Sequence, residues 1–298
     1  MKKYTIGRLK RDLFIAMMMG PAVIGFIVFY LYVNFDSLVM AFQVRDTATD
    51  TVKIGIDNFK ILFSLFTDSA DNVLKTSLIN TGKWILFGYV LMLMQIVYAY
   101  FLYKKICMHR FLKFMLYLPA VIMGTATATL FKYAVAYDGP LSLVYKKFGA
   151  EMPFFFQEIR YANKALMVHS FLYGFPGIIM YFGAMNQIQP EIFESAKLDG
   201  VGWIREIFQI ILPLIWPTLS MLLLSSVINW PGASGAVLLL TEGGAETYTF
   251  AYWQTERLLT GTELEIAASL GWIQTCIMFP ICLFVRWLLV KADDKIGV

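Results

Sequence analysis

The feature that most constrains this chain is a set of six apolar runs, each close to the length of a membrane span. They cover residues 13–33, 84–102, 114–136, 165–185, 207–229 and 267–285. A bilayer core takes about 20 residues of helix. Inside it only the chain itself can satisfy a backbone N–H or C=O. None of the runs alternates with period two as a barrel strand would, so helices are the expected spanning elements. Composition agrees. Of the 298 residues, 58% are hydrophobic and 15% charged, against about 25% charged in soluble domains. No single soluble core of this length hides so much apolar surface. The first run follows a basic start. It is longer than the roughly 7–15 residue core of a signal peptide and no A-x-A site follows it, so it reads as a retained span.

The expected fold class is therefore all-α: a polytopic membrane protein with six transmembrane helices. Residues 1–12 form one tail, 13–290 the membrane domain and 291–298 the other tail. Orientation follows from the basic residues. With the N-terminus inside, segments 1–12, 103–113, 186–206 and 286–298 are inner, and 34–83, 137–164 and 230–266 are outer. Lys and Arg are denser in the inner set, as the positive-inside rule requires. Both ends and the 186–206 loop are then cytoplasmic. Aromatic residues near span ends, such as Tyr30, Trp84, Tyr103 and Trp287, suit the interfacial belt. Residues 57–63 combine a cap with apolar residues and suit a short helix on the outer surface.

Several functions are disfavoured. The middle of every run lacks Asp, Glu, Lys and Arg, which weakens an ion-coupled carrier or proton pump. No internal inverted repeat is visible either. There is no G-x-x-x-x-G-K-[ST] loop, so ATP is not expected to bind here. His109 and His169 are too few and too far apart for a metal or hydrolytic cluster. Cys107, Cys276 and Cys282 show no paired ligand spacing. No catalytic residue and no metal site is expected, and no basic, aromatic-interleaved tract suggests nucleic acid.

The most informative segment is the loop beginning Gln189-Pro190-Glu191 and ending at Gly200. Pro190 suits the first helical position, Glu191 and Glu194 suit the positive helix end, and Gly200 suits a left-handed C-terminal cap. Ile192, Phe193 and Ala196 form an apolar patch at helical spacing. So short a helix persists in water only with something to pack on. Periodicity alone leaves open whether that is the membrane surface, its own spans or another protein.

Glu194-Ser195-Ala196-x-x-x-Gly200, then nine residues, then Ile210-x-Leu212-Pro213, resembles the EAA loop (here 189–213). That loop is the signature of permease subunits in binding-protein-dependent ABC importers. The one departure in the triplet is Ser195, a small residue where the pattern has alanine. The resemblance implies a type I importer permease fold in a bacterial cell membrane. It also implies a cytoplasmic coupling helix that docks into an ATPase, with Glu194, Ser195, Ala196, Asp199 and Gly200 as the docking surface. The implied partners are a second permease subunit, an ATPase dimer that binds ATP and Mg, and an extracellular or periplasmic solute-binding protein. The chain itself binds no cofactor.

Further matches resemble the sugar-type branch, as in maltose and glycerol-phosphate permeases. They are Asp57-Asn58-Phe59, Asn80-Thr81 and Thr241-Glu242-Gly243-Gly244, the last with Ala245 where that branch has proline. Tyr173-Gly174-Phe175-Pro176-Gly177 interrupts the fourth run, and irregular backbone is tolerated where it lines a cavity or meets neighbours. By offset from the family motifs, Tyr173, Gly174, Gly177, Ser226, Asn229, Trp230 and Ala233 resemble pocket-lining positions for substrate. A neutral carbohydrate is the expected cargo. The alternatives are another small solute in the same importer class, or an ATP-independent carrier.

Overall fold

The computed structural model describes residues 2–46, 51–67, 73–106, 108–175 and 177–296. Cys107 and Pro176, singled out above, lie outside the described residues, as do the two ends of the chain, Met1 and residues 297–298. Helix α1 (Lys2–Gly25) continues through a π-helical stretch, Phe26–Tyr32, into α2 (Val33–Ala41). Strands β1 (Gln43–Asp46) and β2 (Thr51–Ile54) form an antiparallel hairpin with Val44 opposite Lys53. Apart from this short hairpin, every element among the described residues is helical, as the all-α fold class implies. Then come α3 (Asp57–Thr67), the long α4 (Val73–Tyr103), α5 (His109–Val121), α6 (Gly124–Ala134) and α7 (Pro140–Lys147). Next are α8 (Ile159–Tyr173), α9 (Ile178–Met185), α10 (Pro190–Leu198) and α11 (Trp203–Arg205). A second π-helical stretch, Glu206–Ile211, leads into α12 (Leu212–Leu214) and α13 (Trp216–Ile228). A 3₁₀ turn at Trp230–Gly232 precedes α14 (Val237–Leu240), α15 (Phe250–Thr260) and α16 (Leu264–Ile296).

Among the described residues, four helical segments are long and apolar enough to cross a membrane: Lys10–Ala41, Val73–Tyr103, Ile159–Met185 and Leu264–Asp294. Two bent pairs, His109–Pro119 with Gly124–Ala134 and Trp203–Leu214 with Trp216–Ile228, bring the number to six if each is one span. Runs 114–136 and 207–229 are therefore not straight rods. The first turns through 100°, where Ile122 and Met123 take extended ψ of 134° and 138°. The second turns through 83° at Ile215. There Pro217 has no N–H to give the Pro213 carbonyl, and its ring crowds that turn.

Contacts divide the chain into two units, Met1–Thr67 with Thr260–Thr275, and Asp68–Leu259 with Cys276–Val298. The first is knitted around the fully buried Ala41. Its carbonyl accepts from Asn58 Nδ2 (3.1 Å) and from Ser269 Oγ (2.8 Å), and Asn58 also donates to the Gln43 carbonyl at 2.7 Å. The Asp57-Asn58-Phe59 motif thus has a plain physical task, because Asn58 ends one helix and starts the next element.

The second unit contains two apolar clusters. One joins the end of α4 (Ile96, Ala99, Tyr100) to α9, Phe193, Ile207, Ile211 and Leu219. The other packs Trp84, Phe131, Leu166, Val237 and Tyr252. The Asn80-Thr81 motif in α4 pins the loop before α15. Asn80 Nδ2 donates to the carbonyls of Glu246 (2.7 Å) and Tyr248 (2.9 Å), and the Phe250 N–H donates to Thr81 Oγ1 (3.2 Å). That loop needs holding, since Glu242, Gly243, Ala245 and Glu246 all have positive φ, unfavourable for residues other than glycine. Burial and the nearby Glu256 push the Tyr252 phenol up to about 12 and raise Tyr248 as well, so both stay neutral beside it.

Asn80→Ala leaves two carbonyls without their partner, each worth about 1–3 kcal/mol. It should lower the melting temperature of the detergent-solubilised protein clearly. Ser220→Ala, which loses only a bond to a carbonyl of its own helix, should leave it nearly unchanged.

Candidate functional site

Two places combine geometry with chemistry. The first is α10. Its N-cap Gln189 is extended, Pro190 opens the helix, Glu191 lies in the first turn and Lys197 in the last. Gly200 has φ +69°. Its N–H reaches the Lys197 carbonyl (3.2 Å), and the Val201 N–H reaches the Ala196 carbonyl (3.1 Å). That pair of bonds is the Schellman closure, which needs a left-handed residue where Gly200 stands.

The apolar stripe expected from spacing is turned inward. Phe193 and Ala196 are 8% and 7% exposed, and Phe193 belongs to the cluster formed with α4 and α9. Glu194, Ser195, Asp199 and Gly200 are exposed on the opposite side. Ala196, named with them from the motif, faces the chain's own interior. The Ser195 hydroxyl donates to the Glu191 carbonyl (3.0 Å), leaving a small, flat outer surface. Leu198 is 89% exposed, the most exposed of the large apolar side chains among the described residues, and Trp203 and Ile204 are about half exposed nearby. Motif reasoning missed Leu198. The signal was available, since a leucine two residues beyond the buried Ala196 must point away from the core.

The second place is a cavity of about 520 Å³ walled by α4, α9, α13 and the segment after α13. It brings together five of the seven residues named by motif offset, Gly177, Ser226, Asn229, Trp230 and Ala233. Tyr173 and Gly174 are not among its lining residues. Tyr173 instead packs beside His169, ring centroids 4.9 Å apart, and the Gly174 carbonyl accepts from Gln95 Nε2 at 2.8 Å. Gln95 caps the break between α8 and α9 in this way. The same amide explains Gly177, where an added Cβ would lie 2.5 Å from Gln95 Oε1.

Reasoning from the sequence alone missed the α4 wall, which includes Trp84, Gly88, Tyr89, Met92 and Gln95. Gln95 was the available signal, being the only amide side chain in the run 84–102. The Tyr89 hydroxyl hydrogen-bonds with Ser226 Oγ (3.2 Å) and accepts from Trp230 Nε1 (3.2 Å), and the Tyr89 and Trp230 rings meet edge to face. The wall thus offers aromatic faces with fixed edges, interspersed with hydroxyls and amides. No Asp, Glu, Lys or Arg lines it among the described residues. No group of three or more His, Cys, Asp or Glu side chains placed to hold a metal occurs among the described residues.

Comparison with known proteins bears on both places. The family model for the binding-protein-dependent transport system inner membrane component matches residues 100–298. The Probable ABC transporter permease protein YesP of Bacillus subtilis (strain 168) is 23% identical over 273 residues, covering 89% of this chain and 87% of YesP. The multiple sugar-binding transport system permease protein MsmF of Streptococcus mutans is 25% identical over 230 residues, 74% of this chain and 72% of MsmF. Among solved structures, a bacterial ABC transporter involved in the import of the acidic polysaccharide alginate shares the fold. It has a TM-score of 0.80 at 22% identity, covering 97% of this chain and 99% of that one. The matched region contains α10, its closing turn and the Ile210-x-Leu212-Pro213 segment, and it makes up more than half of the sequence. The chain is a multi-pass membrane protein and a transport component rather than an enzyme, and it belongs to the family of inner membrane components of binding-protein-dependent transport systems, the permeases of ABC importers.

Proposed function

We propose that this permease carries a neutral oligosaccharide into the cytoplasm by alternating access, driven by ATP hydrolysed in a partner chain. The observation that carries the reading is the uncharged, aromatic-rich cavity together with the outward-facing α10 turn. A sugar ring needs flat apolar faces for its C–H surface and neutral donors and acceptors for its hydroxyls. Trp84, Tyr89 and Trp230 offer the first, and Gln95, Ser225, Ser226 and Asn229 the second. Relatives named for sugars support the same class, among them MsmF and the arabinooligosaccharide permease AraP of Halalkalibacterium halodurans. The alginate transporter carries an acidic polymer, whereas the cavity here shows no cation among its lining residues to match one.

In this reading both termini and α10 are cytoplasmic, as the basic residues favour. Glu194, Ser195, Asp199 and Gly200 meet the ATPase, with Leu198 as an apolar knob entering its cleft. Ala196 backs the helix from behind. A second permease subunit completes the pathway, and a solute-binding protein delivers the cargo from outside. ATP and Mg stay with the ATPase dimer. Switching a cavity from 1:99 to 99:1 between two faces takes a differential of about 5.5 kcal/mol, so the α10 contact must be held in both states.

The test is uptake into proteoliposomes containing the native complex, with a panel of radiolabelled neutral and acidic oligosaccharides. Neutral sugars should accumulate with ATP, and preference for uronate polymers would contradict the reading. Glu194→Lys or Gly200→Val should leave membrane insertion intact but abolish ATP-driven uptake. Tyr89→Phe, which removes the acceptor for Trp230, should weaken sugar uptake about tenfold, the cost of roughly one mispositioned contact, while the ATPase still co-purifies.

A further inference from the structure

The turn that carries α10 is gripped by an element that is not its neighbour in sequence. The last turn of α4 reaches it on both sides. Towards α10, the Tyr103 ring lies 4.9 Å from Phe193, and Lys104 Nζ sits 4.7 Å above the same ring. Beyond the turn, the Phe101 and Trp203 rings are 5.9 Å apart. The Tyr100 hydroxyl donates to Glu206 Oε2 at 2.9 Å, and Lys104 Nζ forms an ion pair with Glu206 Oε1. The Glu206 side chain is only 9% exposed. A carboxylate that deep is held only against a cation and a donor, and taking either away leaves a buried charge poorly matched. Glu206 also opens a π-helical stretch, a geometry common at functional positions.

The same helix walls the cavity. Gln95 and Tyr89 precede Lys104 by nine and fifteen residues, or about 14 and 22 Å along a straight helix. One rigid element therefore holds the cavity wall along its length and the Tyr100–Lys104 grip at its end.

We infer that Glu206, through Lys104 and Tyr100, is a positioning residue that makes α4 the member carrying displacement of α10 to the cavity. The inference rests on the proposed role of α10 as the ATPase contact. Phe193 and Ala196 still seat α10 without the ion pair, so docking of the ATPase persists when the pair is broken. What is lost is the transfer of its motion to Gln95, Tyr89 and Trp84.

The experiment uses the assembled transporter with its native cysteines replaced by serine and a reporter, Ser225→Cys, in the cavity. The labelling rate by a water-soluble maleimide is compared without nucleotide and after trapping with ATP and vanadate. With Glu206 present, the closed state should change the rate by about tenfold or more, as a full shift of population does. Glu206→Gln and Lys104→Met should collapse that change while the ATPase subunits still co-purify and nucleotide-free labelling is retained. Tyr100→Phe, which removes only one hydroxyl, should reduce it partly. The swapped pair Lys104→Glu with Glu206→Lys should restore it. Full switching in the single variants, or a loss that the swap does not repair, overturns the proposal. Failure of any ATPase to co-purify with the unmodified chain instead overturns the functional reading on which it rests.

Discussion

A chain in hydrocarbon must satisfy its own backbone, and among the described residues this one bends or breaks its spanning helices in three places. The breaks at 122–123, between α8 and α9 and at 215 each free carbonyls or amides that a straight helix would have paired. At the break after α8 a side-chain amide distant in sequence meets that demand, and two other amides hold irregular backbone elsewhere in the chain. Gln95 takes the Gly174 carbonyl, Asn80 takes those of Glu246 and Tyr248, and Asn58 takes those of Ala41 and Gln43. Three amides thereby fix where irregular backbone stands, and irregular backbone is what opens a cavity between packed helices.

That arrangement gives α4 a central place in its unit. It supplies Asn80 to the strained loop before α15, Trp84, Tyr89 and Gln95 to the cavity, and Tyr100 to Lys104 to the turn beneath α10. Rigid helices transmit displacement well because packed cores resist small deformations. The proposed mechanism needs a link of that kind, since it assigns ATP hydrolysis to another chain. In the proposed mechanism α10 receives the motion, and the opening of the cavity depends on how faithfully α4 repeats it.

Much of this was legible in the residues. The apolar runs overlap the helices long and apolar enough to cross a membrane, and the order Pro190, Glu191, Gly200 marked the start and stop of α10 through cap chemistry alone. Periodicity also identified Phe193 and Ala196 as one face, though only the fold shows that this face turns inward and takes Ala196 with it. The bends in runs 114–136 and 207–229 were not legible. Hydropathy is blind to direction, and Pro217 fixes a break without fixing its angle. Tyr89, Gln95 and Glu206 were missed for a related reason. Each acts by meeting a residue at least 79 positions away, and such pairings leave no local pattern. Of the positions named by motif offset, Ser226 on α13 and Asn229, Trp230 and Ala233 just beyond it line the cavity with Gly177, whereas Tyr173 and Gly174, where α8 stops, do not.

The central claim is that the exposed side of α10 contacts a nucleotide-hydrolysing protein. The most direct measurement places a photo-crosslinking amino acid at Ser195 in native membranes and identifies the adduct by mass spectrometry. The account predicts one dominant adduct with an ATPase subunit, and only intramolecular products from the same probe at the inward-facing Ala196. An adduct at Ser195 with lipid alone, or with an extracytoplasmic protein, would contradict it.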